Sequence, residues 1–127
     1  WPPTSASKIK IAIADPSHVP LGTYTRVQLK ALGLWEPLST AFIHTKDARA
    51  ALVIAERGET DFAITYKTDA IASTKVQTVH HFPRPNPAIV YPIAIVKNRE
   101  SPRVRHLYEH LISATSAYRE LGFTEAL

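Results

Sequence analysis

The sequence predicts an α/β domain built on a mostly parallel β-sheet with helices on both faces. The first observation behind this prediction is that short β-branched segments alternate with amphipathic helices along the chain. The second is that residues 62–66 show little alternation of polar and apolar side chains, as in a strand covered on both faces. The third is a helix whose inner face carries alanines small enough for close packing on a sheet, with one leucine among them: Ala48, Ala51, Leu52 and Ala55.

The first half of the chain divides into alternating segments. Residues 1–7 are an irregular lead-in, and residues 8–14 form a strand with Ile9, Ile11 and Ile13 on one face. After the loop 15–21, a helix over 22–32 ends at Gly33, because glycine is the usual residue just past a helix. The remaining predicted segments are a one-turn or irregular stretch over 35–41, a brief strand over 42–44, and a helix with Thr45 as N-cap that ends at Gly58.

The second half begins with the strand 62–66 and a short helical turn at 68–70. Strands follow at 76–79 and 89–96, the second interrupted by Pro92, and the three prolines of 82–87 predict an extended crossover between them. Ser101 and Pro102 begin a helix, and a last short helix over 116–121 ends at Gly122. The longer helix has the clearest apolar face of the chain, formed by Val104, Leu107, Tyr108, Leu111 and Ile112.

Composition excludes several classes of protein. The 127 residues suffice for one domain with a modest core, and no apolar run reaches the ~20 residues that a membrane span needs. The absence of cysteine excludes disulfides, thiolate chemistry and cysteine-based zinc sites. The net charge of +4 comes from scattered basic residues without a nucleic-acid motif, so no nucleic-acid partner is expected. The absence of any methionine leads us to expect a processed product or a fragment.

Two helix starts and one tyrosine form the candidate binding site. The first turn of a helix carries N–H groups with no acceptor inside the helix, and such groups bind anions. The predicted donors are the main-chain amides of Leu21 and Ala48 and the hydroxyl of Tyr66, with Pro20, Gly22 and Asp47 as supporting residues. Each feature taken alone also has an ordinary explanation as a loop, a helix former or a half-buried core residue.

The loop and its surroundings resemble a known family. The string DPSHVPLGTY at 15–24 resembles the D-P-x-H-V-P-A-G-x-Y segment of periplasmic molybdate-binding proteins, the solute receptors of molybdate ABC importers. Further segments that are similar in order and spacing lie at 31–39, 47–52, 56–59, 63–70, 82–83, 91–96 and 121–123. The resemblance therefore extends over essentially the whole chain.

The resemblance implies a two-lobed type II periplasmic binding protein fold that takes molybdate or tungstate between its lobes. It implies ligand contacts from the main-chain amides at Leu21 and Ala48 and from the Tyr66 hydroxyl, with no cofactor, no catalytic residue and no metal-ligating residue. The family commonly has alanine at the Leu21 position and valine at the Ala48 position. Both contacts use main-chain N–H, so the donors survive, although the bulk of Leu21 is expected to crowd the pocket rim.

The segment that would form the family's N-terminal lobe is missing from this sequence. The resemblance assigns residues 1–88 to the second lobe, and residues 89–127 to a return strand and helices that would pack partly on the first lobe. The expectation is a truncated periplasmic receptor, not an enzyme, with half a binding site and weak binding. The intact protein would have a membrane permease as partner, and this chain would self-associate, swap its tail between copies, or pair with a complementing N-terminal lobe.

Alternative functions rest on fewer residues. A ligand-sensing effector domain of a transcription regulator shares this fold type, and an interaction module without a transport role would keep the fold. His106 and His110, spaced i, i+4, lack the glutamate pattern of a zinc protease helix, and His80 and His81 are adjacent, so a zinc site is not expected. No nucleophile or phosphate-loop motif is present. Ser17 and His18 near Asp15 would make a poor catalytic triad, and His18 is expected to cap or brace the loop.

Overall fold

The computed structural model describes residues 9–83 and 88–125. The chain divides into two compact units, Trp1–Pro85 and Asn86–Leu127. The boundary expected at residue 88 lies close to this division, and the packing of the second segment on a further lobe stays a prediction. The lead-in 1–7 and the prolines at 85 and 87 lie outside the described residues.

The first unit alternates strands and helices as expected for an α/β domain. Its elements are β1 (Ile11–Ala14), α1 (Pro20–Ala31), α2 (Trp35–Leu38), a 3₁₀ turn (Ser39–Ala41), β2 (Phe42–Thr45), α3 (Ala48–Glu56), β3 (Phe62–Ala63) and α4 (Lys67–Ala72). The second unit contains α5 (Pro102–Ser113) and α6 (Thr115–Glu120). Among the described residues no helix is long and apolar enough to cross a membrane.

A three-stranded parallel sheet of order β2-β1-β3 organises the first unit. Ile11 pairs with Phe42 on one side and with Phe62 on the other, and Ala14 pairs with Thr45. All four residues of β1 are buried, because the central strand is covered on both faces. The isoleucines of β1 pack with Leu38 and Ala41 on one face, and the alanines point to the opposite face. The predicted parallel α/β architecture is confirmed.

The start of α1 lies two residues earlier than the predicted one, at Pro20. Proline suits the first helical position, because its missing N–H would have no acceptor there and its φ is already helical. The helix ends before Gly33, which has a positive φ of 68° as the sequence predicts.

The predicted N-cap of α3 is wrong. Asp47, not Thr45, caps the helix, because its Oδ1 accepts the Ala50 amide at 2.7 Å. Thr45 is the last residue of β2, and its hydroxyl contacts main-chain oxygens instead. Gly58, with a φ of 71°, ends the helix region as predicted.

Three predicted strands are absent or shortened among the described residues. The strand expected over 62–66 has only two residues, Phe62–Ala63, and 62–66 are half-buried and not covered on both faces. Residues 76–79 and 89–96 form no strand, and several of their apolar side chains are exposed. A β-branched segment becomes a strand only where a neighbour pairs with its backbone, and no strand in the described part of the chain does so here.

The second unit contains the two predicted helices, and the apolar face of α5 is only partly covered. Ser101 caps α5 by accepting the Val104 amide at 3.3 Å, and Pro102 occupies the first helical position. Leu107 is 57% exposed and Ile112 is 48% exposed. Tyr108 and Leu111 of the same face are half-buried, and the described residues of α5 include none that is fully buried.

We predict that Gly22→Ala destabilises the chain by about 1–3 kcal/mol, the usual cost of overpacking. A Cβ at Gly22 would lie 2.3 Å from the Ala14 carbonyl oxygen and 2.6 Å from the Asp15 carbonyl, so α1 must move away from β1. Urea unfolding followed by circular dichroism measures the effect. Val27→Ala, at a 57% exposed position of α1, is the control and should change stability by less than about 0.5 kcal/mol. Equal stability of Gly22→Ala and the unmodified chain would contradict the close approach.

Candidate functional site

The three strands of the sheet end at a common edge, and each leads into one element of the predicted site. Because β1, β2 and β3 run parallel, their carboxyl ends point the same way. Strand β1 leads into α1 with Leu21, β2 leads into α3 with Ala48, and β3 leads to Tyr66. The fold therefore brings the three predicted site residues to one edge of one sheet.

The N-terminus of α1 contributes two main-chain amides. The Thr23 amide donates to the Val19 carbonyl at 3.1 Å and makes the first bond of the helix. Pro20 has no N–H, and the amides of Leu21 and Gly22 precede that first bond, so they have no acceptor within α1. The side chain of Leu21 is 5% exposed, so its bulk packs inside the unit. Crowding of the pocket rim by this side chain stays a prediction.

The N-terminus of α3 has the same arrangement with a different cap. The Asp47 carboxylate accepts the Ala50 amide, and the Asp47 carbonyl accepts the Ala51 amide at 3.4 Å. The amides of Ala48 and Arg49 precede these bonds and are left without an acceptor in the helix. Both helices therefore present their positive dipole ends at the same edge of the sheet.

Tyr66 is the residue that immediately precedes α4. Its backbone is extended, with a φ of −69° and a ψ of 145°, and its side chain is half-buried. The amide of Ile64 still donates to the Ala12 carbonyl at 3.0 Å, which keeps this segment beside β1 after β3 has ended. Tyr66 therefore lies close to the carboxyl end of β1, at the edge where the three strands end.

A hydrogen-bonded turn holds the loop between β1 and α1. Oδ1 of Asp15 accepts the Ser17 hydroxyl at 2.6 Å and the Ser17 amide at 2.8 Å. The Ser17 hydroxyl has only one proton, so Nδ1 of His18, 2.9 Å from Oγ, donates to it. Serine lies between the carboxylate and the imidazole, whereas activation of a serine nucleophile needs the imidazole between the serine and the carboxylate. The turn thus braces the loop, in which His18 has the expected role and Ser17 an additional one.

Electrostatics at this turn favour the charged form of Asp15. Hydrogen bonds from the hydroxyl and then the amide of Ser17 lower the pKa of the Asp15 carboxyl, with smaller contributions from His18 and His44. Within 9–83 and 88–125 no group of three or more metal-ligating side chains is present.

Sequence reasoning missed the roles of Asp15 and Thr45. The pattern Asp-x-Ser at 15–17 is typical of a turn in which an aspartate oxygen accepts a later main-chain amide, so it was recognisable. The position of Thr45 had no comparable signal, because its hydroxyl contacts β1, which is 32 residues away along the chain.

Comparison with known proteins identifies the family. The family model for bacterial extracellular solute-binding proteins matches residues 3–124. The molybdate-binding protein ModA of Escherichia coli (strain K12) is 36% identical over 118 residues, which cover 91% of this chain and 46% of that protein. The molybdate-binding protein ModA of Haemophilus influenzae is 38% identical over 114 residues, covering 89% and 45% respectively.

A solved structure supports the same fold. It is described as the substrate-binding domain of a candidate molybdenum ABC transporter from Clostridium difficile, and it superposes with a TM-score of 0.74 at 22% identity. The superposition covers 96% of this chain and 56% of that one. The chain spans about half the length of the curated relatives it matches. With the family model matching almost its whole length, the chain belongs to the bacterial extracellular solute-binding proteins.

Proposed function

We propose that this chain forms one wall of a binding site for molybdate or tungstate. The observation that carries the proposal is that Leu21, Ala48 and Tyr66 all follow strand ends at one sheet edge. Two of the relatives, at 36% and 38% identity, are named as molybdate-binding proteins, which supports the choice of ligand.

The proposed site binds its anion through uncharged donors. The amides of Leu21 and Ala48 and the hydroxyl of Tyr66 each donate one hydrogen bond to an oxygen of the tetrahedral dianion. The positive ends of α1 and α3 add favourable electrostatics without burying a cation, which would have to be desolvated. Donors of this kind discriminate by size, because they are attached to rigid elements and cannot follow a smaller anion.

One wall by itself binds weakly. A charge-assisted hydrogen bond contributes about 1.5–3 kcal/mol, so a site that lacks the donors of an opposite wall loses several kcal/mol. The open wall also leaves water around the anion, which weakens each remaining contact. We therefore propose that the second wall belongs to a segment outside this sequence, and that residues 1–127 by themselves carry half of the site.

The proposed physiological role is that of a solute receptor for an ABC importer in the periplasm. A receptor of this kind delivers its anion to a membrane permease and performs no reaction, so neither a catalytic residue nor a cofactor is needed. The exposed apolar face of α5 favours an additional role in association, either with a complementing N-terminal lobe or with a second copy.

The first test is a titration of the ¹⁵N-labelled chain with sodium molybdate, followed by amide chemical shifts. We expect shifts centred on Leu21 and Ala48, with a dissociation constant weaker than micromolar. Tyr66→Phe removes the third donor and should weaken binding about tenfold or more. Chloride at equal ionic strength is the control for non-specific anion effects. Submicromolar binding by the chain alone would contradict the half-site, and shifts confined to other residues would contradict the site.

The second test concerns association. Multi-angle light scattering should show a dimer, or a heterodimer once a separately produced N-terminal lobe of a molybdate-binding relative is added. Leu107→Glu should weaken either assembly at least tenfold, because it introduces a charge into the apolar face of α5. His106→Glu introduces a carboxylate at a neighbouring exposed position outside that face and should have little effect. If the chain is monomeric and does not associate with the added lobe, this role is contradicted.

The third test is the acid stability of the loop. The lowered pKa of Asp15 contributes stability that is present above its unfolded-state pKa of about 3.9 and is lost as pH falls through the folded value. The free energy of unfolding, measured with urea, should therefore decrease less between pH 7 and pH 2.5 for Asp15→Asn than for the unmodified chain. Ser17→Ala, which removes the strongest cause of the shift, should give an intermediate loss. An identical decrease in all three proteins would contradict the stabilisation of the Asp15 carboxylate by this turn.

A further inference from the structure

Thr45 occupies the point where the two helix starts meet the sheet. Its carbonyl accepts the Asp15 amide at 2.9 Å. Its hydroxyl lies 2.9 Å from the Asp47 carbonyl oxygen and 3.2 Å from the Ile13 carbonyl oxygen. Both hydroxyl contacts are partly buried, so solvent competes with them only weakly.

These contacts complete a continuous hydrogen-bonded path from one helix start to the other. The Val19 amide, at the N-cap of α1, donates to the Asp15 carbonyl at 3.0 Å. The Asp15 amide donates to the Thr45 carbonyl, and the Thr45 hydroxyl donates to the carbonyl of Asp47, the N-cap of α3. A single hydroxyl proton serves one acceptor at a time, and the shorter contact favours Asp47.

We propose that Thr45 is a positioning residue that sets the separation between the first-turn amides of α1 and α3. Through this separation, and resting on the proposed function, Thr45 controls which size of tetrahedral oxyanion the wall prefers. The side chain touches no ligand itself. It acts because the Asp47 carbonyl directly precedes the Ala48 amide, so the orientation of that peptide unit follows the Thr45 hydroxyl.

The physical consequence differs from a general loss of affinity. A rigid pair of donors fits one anion size, and a loosened pair adapts to a smaller anion such as sulfate. Removal of the hydroxyl should therefore reduce the preference for molybdate over sulfate. The loss of one modest hydrogen bond corresponds to roughly a fivefold change in that ratio.

Three substitutions separate positioning from stability. Thr45→Val keeps the shape and removes the hydroxyl, whereas Thr45→Ser keeps the hydroxyl and should restore the ratio. Thr60→Val is the matched control, because Thr60 is buried, its hydroxyl has no hydrogen-bond partner in the described structure, and it precedes the amino end of β3. All three proteins are titrated with molybdate and with sulfate under the same conditions as the unmodified chain.

The expected result is a molybdate-to-sulfate affinity ratio that falls about fivefold in Thr45→Val alone. A ratio unchanged in Thr45→Val, or reduced equally in Thr60→Val, would overturn the role of Thr45. In that outcome the proposed function is still supported, provided that molybdate shifts the amide signals of Leu21 and Ala48 in the unmodified chain.

A measurement without ligand keeps the inference testable if the chain binds neither anion, an outcome that would defeat the proposed function. The Asp15 amide, which donates to the Thr45 carbonyl, and the Ala50 amide, which donates to the Asp47 side chain, report on the two helix starts by hydrogen exchange. The Ile64 amide, bonded to the Ala12 carbonyl, reports on the sheet. Thr45→Val should accelerate exchange at Asp15 and Ala50 at least threefold more than at Ile64. Equal acceleration at all three amides would mean a general loss of stability and would overturn the positioning role.

Discussion

The parallel pairing of β1 with a strand on each side is the constraint on which the rest of the structure depends. Parallel strands require crossover connections, so the chain must leave each strand at its carboxyl end and return along a helix. The central position of β1 buries all four of its residues and draws α1 and α3 against the sheet. The same pairing places the starts of both helices at one edge, where their first amides have no acceptor within the helix.

A site built from main-chain amides depends on backbone position more than on side-chain identity. The amides at Leu21 and Ala48 would persist with other side chains there, provided that the helix starts stay in place. Gly22 matters for that reason, because its lack of a Cβ lets α1 approach the Ala14 carbonyl closely. The nearby carboxylates of Asp15 and Asp47 are used as acceptors for Ser17 and Ala50, so they order the two helix starts.

The second unit contains apolar segments that join no sheet among the described residues. Helix α5 forms because its signals are local, with Ser101 as cap and Pro102 at the first position. Its apolar face stays exposed, and the β-branched residues of 89–96 remain outside any sheet. Under the function proposed above, we propose that this surface contacts a second lobe or a second copy of the chain.

The sequence by itself determined the features that depend on neighbours a few residues away. The fold class, the helix that Pro20 begins, the stops at Gly33 and Gly58, and the cap at Ser101 could all be predicted, because capping and φ preferences act within one turn. The candidate donors were reachable from the same local signals together with the family resemblance, and their placement at a common edge followed once the strands were parallel.

Only the tertiary structure decided which segments become strands and how the helix starts are joined. Residues 76–79 and 89–96 have strand-like composition but no partner strand in the described chain, and β-pairing energy comes from the partner. Thr45 has an N-cap residue type, yet pairing with β1 makes it the end of β2 and gives the cap to Asp47. A long-range hydrogen bond outranked a local preference there, because the sheet satisfies several backbone groups at once whereas a cap satisfies one.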